Sequence, residues 1–123
     1  MSDYGERIAA LADRARRDVE AFEPPESPPD EATALSYARE GIGPTVALYI
    51  DARTGPCSPV AFDRTEFALL ERALNDWLEL YAACYGIEMD ATFTIREAAE
   101  VLLDTHNIDE TAALLTGVDA GRC

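Results

Sequence analysis

The stretch DRTEFALLERALNDWLELYAACYG, from Asp63 to Gly86, carries the longest helical pattern in the chain. Phe67, Leu70, Leu74, Trp77, Tyr81 and Cys84 follow one another at steps of three, four, three, four and three, which puts them on one side of a helix. Leu69, Ala73, Leu78 and Leu80 widen that stripe, and a helix apolar over so much of its girth belongs at the centre of a fold. Asp63 stands three residues before Glu66, an acidic capping box, and Gly86 supplies a stop, so a long helix is expected over about 64–85. The same alternation is that of a coiled-coil seam. Phe67, Leu70, Leu74, Trp77 and Tyr81 are therefore read as an interaction face. One side of the arc is expected to meet the chain's own helices, and the other a second copy in a two-fold homodimer, or another protein.

Further along the chain, Thr94-Ile95-Arg96-Glu97 is a Thr-x-x-Glu capping box that opens a helix to about Thr105. The turn Thr105-His106-Asn107 leads to a last helix from about Asp109 to Thr116, stopped by Gly117, and the pair forms a C-terminal helical hairpin. On the other side of the central helix, residues 44–54 are ambiguous. Their β-branched and aromatic content suits a strand, whereas Pro44 at a first helical position and Gly55 past the end suit a helix, which is the favoured reading. Asp30 caps a short helix through about Glu40, with Gly41 as its stop. The prolines of residues 23–30 form a stiff connector, read as a spacer rather than as a ligand for an aromatic groove. Before them Tyr4, Ile8, Leu11, Ala15, Val19 and Phe22 mark a helix from about Asp3 to Phe22, with Asp3–Arg7 and Asp13–Arg17 as i,i+4 pairs. The expected fold is all-α: one domain over 1–123, of five to six helices around the central one. No internal repeat stands out.

The chain has 123 residues, enough for one real core without disulfides. Its 24 Asp and Glu outnumber 10 basic residues, every one of them Arg, for a net charge of −14. Acid excess without lysine is what molar salt favours, because at a Debye length of about 3 Å carboxylate repulsion is largely screened. The source is read as a salt-accumulating halophile. Such a charge repels phosphate backbones and anionic lipid, which disfavours nucleic-acid and membrane-surface binding. No apolar run reaches transmembrane length and the N-terminus lacks a basic signal region, so a cytoplasmic location is expected.

Few residues offer chemistry. Glu97, Glu100 and Asp104 share a helical face with His106 two residues beyond, a weak candidate set for a divalent metal. It would need an acid from a second helix, such as Glu79 or Glu88, and it reads more simply as a solvated acidic face, with His106 as a turn or C-cap residue. Cys57, Cys84 and Cys123 lack metal-binding spacing; Cys84 lies on the apolar stripe and Cys57 in a loop between prolines. With His106 the sole histidine and no nucleophile-elbow motif, covalent catalysis has no visible apparatus. No cofactor is expected. The final hairpin has the outline of a helix-turn-helix, but its last helix carries two acids and no base.

The tracts Glu23-Pro24-Pro25, Gly43 through Ile50, Asn75 through Tyr81 and Phe93 through Ala99 together resemble a family of small acidic proteins of halophilic archaea known only as a domain of unknown function. The resemblance spans nearly the whole chain and implies lineage, with no chemistry attached. The functional expectation is a non-catalytic interaction or structural module. The alternatives are a transcription-associated regulator using the C-terminal hairpin and a small metal-dependent enzyme built on Glu97, Glu100, Asp104 and His106.

Overall fold

Trp77 and Tyr81 are the two largest fully buried side chains among the described residues, and both lie on the long central helix. The computed structural model describes residues 4–54 and 62–118, and every regular element among them is helical. They are α1 (Gly5–Ala21), α2 (Glu31–Tyr37), a π-helical turn (Ala38–Ile42), α3 (Gly43–Thr54), α4 (Arg64–Cys84), α5 (Ile95–Thr105) and α6 (Ile108–Thr116). Because α2, the π turn and α3 run on without a break, the described residues form five helical bodies. Each of the other elements touches α4.

Both arms of the α4 capping box are made: the Glu66 amide donates to Asp63 Oδ1 at 2.7 Å and the Asp63 amide to Glu66 Oε1 at 3.0 Å. At the other end Gly86 takes a left-handed φ of 79°, where a side chain would be strained. Leu70, Leu74, Trp77 and Tyr81 are buried, and Phe67 alone of the expected interaction face is exposed, at 38%. That expectation is therefore corrected. Leu78 and Leu80, on the wider arc, are buried as well, so the chain's own helices fill the side reserved for a partner. Each large side chain so covered is worth about 1.5–3 kcal/mol, which favours wrapping the stripe within one chain.

Gly41 is not a helix stop. Its φ is not positive, the chain stays helical through it, and an added Cβ would lie 2.5–2.7 Å from three ring atoms of Trp77. The glycine is needed because the π turn presses its backbone flat against the indole. Thr45 Oγ1 donates to the Gly41 carbonyl at 2.8 Å, satisfying it beside the widened turn. In the same five-membered ring, Nε1 donates to Asp18 Oδ2 of α1 at 2.8 Å. Residues 44–54 form a helix, and Thr45, Val46, Leu48, Tyr49 and Ala52 are all buried, which explains their strand-like composition.

The connection from α4 to α5 is fastened by side chains of α4. Ala91 N–H donates to Glu79 Oε2 at 2.9 Å, and Ile95 N–H to Glu71 Oε2 at 3.0 Å. Between them Asn75 accepts from Phe93 N–H and donates to Phe93 C=O, both at 2.9 Å. Four helical residues rise about 6 Å and two extended ones about 6.6 Å, so carboxylate, amide and carboxylate meet alternate amides running antiparallel to α4. This ladder fixes where α5 begins.

Candidate functional site

The Thr94 box opens α5: the Glu97 amide donates to Thr94 Oγ1 at 3.1 Å and the Thr94 amide to Glu97 Oε1 at 3.0 Å. His106 closes it with a left-handed φ of 55°, its backbone N–H bonding the Leu102 carbonyl at 2.7 Å. Asn107 then caps α6 by accepting from the Glu110 amide at 3.0 Å. The hairpin so made leaves an open groove of about 590 Å³ between its helices, lined by Glu97, Glu100, Val101, Asp104, Leu114 and Leu115. The three acids thus share a groove, but His106 is not among its lining residues.

These acids are not arranged as ligands. Glu97 is engaged in its cap, Glu100 accepts from Arg96 Nε at 3.2 Å, and Glu79 is held by the Ala91 amide. Glu88 is exposed. Among the described residues no group of three or more His, Cys, Asp or Glu is placed to hold a metal ion, so the candidate set Glu97, Glu100, Asp104 and His106 does not converge. The physical reason is local. The first acid is consumed in starting the helix, and the left-handed C-cap that ends it keeps His106 out of the groove.

A second groove, missed in the sequence, runs between α1 and α3. Arg7, Ala10, Leu11 and Arg14 from α1 face Pro44 and Leu48 across a hollow of about 320 Å³. It continues into one of about 620 Å³ that adds Ala47, Ile50, Asp51 and Leu102. The Arg7 guanidinium lies over the Tyr4 ring, 5.3 Å from its centre, and Tyr4 Oη donates to Asp51 Oδ2 at 2.7 Å. The signal was legible as Arg7-x-x-Ala10-Leu11-x-x-Arg14, two cations bracketing apolar positions on one helical face. The pair Asp3–Arg7 lies outside the described residues; Asp13–Arg17 is formed.

Nothing in the core is poised for covalent chemistry. Cys84 is buried, and burial, aided by the nearby Asp30 carboxylate, pushes its thiol up to about 11, which suppresses the thiolate. Exposed His106 cannot serve this buried sulfur as a base. Cys57 and Cys123 fall outside the described residues. Among the described residues Tyr81 Oη and Asp109 Oδ1, both buried, have no hydrogen-bond partner, while Asp109 Oδ2 pairs with Arg39 at 3.0 Å. Burial also raises the Tyr81 phenol.

The hairpin is also poorly equipped to read DNA. Its one arginine, Arg96, is paired with Glu100, and α6 carries Asp109 and Glu110. Arginine is concentrated instead on α1, where Arg7, Arg14, Arg16 and Arg17 are balanced by Glu6, Asp13, Asp18 and Glu20. Among the described residues no helix is long and apolar enough to cross a membrane. No curated protein and no solved structure matches the chain. A family model described as Domain of unknown function (DUF8055) matches residues 2–120.

Proposed function

The chain belongs to the DUF8055 family of domains of unknown function, and from that premise we propose that it is a non-catalytic protein-interaction module that docks its partner along the surface grooves of α1, α3, α5 and α6. The observation that carries the reading is Leu114, 58% exposed in the α5–α6 groove beside Leu115 and Val101 and rimmed by Glu97, Glu100 and Asp104. Apolar floor with charged rim is the anatomy of a docking surface. The module works in the cytoplasm of a salt-accumulating cell; 24 acids against 10 arginines and no lysine support that setting.

The test is affinity purification from the native high-salt lysate with the wild-type chain, Leu114→Asp, and a control substitution Glu26→Gln on the exposed connector. Reproducible co-elution that survives the control and is lost with Leu114→Asp is the expected result. Co-elution insensitive to Leu114→Asp, or none beyond background, overturns the reading.

A further inference from the structure

Two flanks on different helices of this chain share one spacing and carry opposite charge. On α1, Arg7, Ala10, Leu11 and Arg14 stand at i, i+3, i+4 and i+7 along the α1–α3 groove. On α5, Glu97, Glu100, Val101 and Asp104 stand at the same steps along the α5–α6 groove. In each the end charges are about 10.5 Å apart along the helix, with an apolar residue at i+4 between them. We infer that the two flanks recognise each other between two copies of this chain, the α5 flank of one copy seating along the Arg7–Arg14 flank of the other and the reverse. The inference rests on the docking reading above and names its partner.

Charge distribution favours that side of the molecule. The four arginines and four acids of α1 cancel, as do Asp51 and Arg53 of α3, so these two helices contribute nothing to the net −14. An α1–α3 surface without net charge is where the carboxylates of another acidic copy's α5 flank meet the least repulsion. Arg16, Arg17, Arg39 and Arg96 each pair with a carboxylate, whereas Arg7 and Arg14 pair with no described acid and line a groove instead. Asp104, at the other flank, likewise pairs with no described arginine.

Arg7 of α1 and Leu102 of α5 line one hollow, with Pro44, Ala47 and Ile50 of α3 between them. Helices α1 and α5 therefore lie on either side of α3, with Glu97, Glu100, Val101 and Asp104 on the face of α5 turned toward α6. The inferred contact is the α1–α3 groove of each copy against the α5–α6 groove of the other in a reciprocal two-fold arrangement. Opposite charges fix the register of such a contact more than its strength. Partly buried Leu11 and exposed Pro44 and Ala47, meeting Val101 and Leu114, supply the apolar burial.

The experiment uses paired charge reversals at exposed positions: Arg7→Glu with Arg14→Glu in one chain, and Glu100→Arg with Asp104→Arg in another. Light scattering after size exclusion is run at ~0.15 M and ~1 M salt, with circular dichroism showing each chain folded. The wild type is expected at the mass of two chains. Each reversed chain should halve that mass, because its own flanks then match in sign. An equimolar mixture of the two should restore a complex holding one chain of each. A wild-type mass of one chain across the accessible concentrations, a two-chain mass indifferent to both reversals, or a mixture that stays monomeric each overturns the inference. If the chain is monomeric while Leu114→Asp still abolishes capture of a different protein, the second-copy inference fails and the docking reading stands.

Discussion

Replacing Gly41 by alanine should destabilise the protein, although glycine-to-alanine changes inside helices ordinarily stabilise by up to about 1 kcal/mol. The added Cβ would lie 2.5, 2.6 and 2.7 Å from Cδ2, Cε2 and Cγ of Trp77, against an ordinary carbon separation of about 3.5–4.0 Å. To make room, the indole must withdraw by about 1 Å, and Nε1 of the crowded five-membered ring, bonded to Cε2, is tied to Asp18 at 2.8 Å. Overpacking of this kind costs about 1–3 kcal/mol, and losing a hydrogen bond to a charged acceptor about 1.5–3 more. Less the helical gain, a net loss of about 1.5–5 kcal/mol is expected, or a melting point lower by roughly 6–20 °C. Gly43→Ala is the control, since its Cβ would meet only the Ala38 carbonyl at 3.2 Å and Ile108 Cγ1 at 3.6 Å, and it should be close to neutral. Urea unfolding followed by Trp77 fluorescence measures both. Gly41→Ala as stable as the wild type, or more so, would refute the close approach of the π turn to the indole.

Tyr81→Phe removes a buried hydroxyl that has no hydrogen-bond partner among the described residues, so it should be neutral or stabilise by about 1 kcal/mol in urea unfolding; a loss above about 1 kcal/mol would mean the hydroxyl is bonded. Raising the Cys84 thiol from 9.0 to about 11 means the folded chain keeps a proton that the unfolded one loses. Stability from this group is therefore complete below pH 9 and falls by up to about 3 kcal/mol as the pH rises toward 11. Cys84→Ala should flatten the first part of that fall, and an unchanged alkaline profile in the variant would contradict the assignment. With −14 on 123 residues, the melting point should rise between ~0.05 M and ~2 M KCl as self-repulsion is screened; equal melting points would count against a salt-adapted chain.

Local signals carried the helix ends well. The Asp63–Glu66 and Thr94–Glu97 boxes, the Asp30 cap and the glycines at 86 and 117 act where the one-dimensional reading places them, because caps are satisfied within four residues. Gly41 was misread for a physical reason. A helix-stop glycine and one that lets a backbone touch an aromatic ring look alike until Trp77, thirty-six residues away, is in place. The stripe from Phe67 to Tyr81 fixed the centre of the fold but could not disclose how much of its girth the other helices would cover. The ladder of Glu71, Asn75 and Glu79 was equally hidden, since at steps of four these residues read as a solvated edge. In the candidate site, the acids of α5 were visible as a cluster. That Leu114 and Leu115 complete a groove with them depends on the hairpin angle, which no periodicity encodes.

The account turns on the surface grooves, not the α4 stripe, being where the chain works. Photo-crosslinking in native lysate tests this directly, with a photoreactive side chain at position 114 in the α5–α6 groove and, for comparison, at position 26 on the connector. The account predicts a discrete, reproducible adduct from position 114, at the mass of two chains if a second copy is the occupant, and none from position 26. Equal labelling at both positions, or no adduct from position 114, would contradict it.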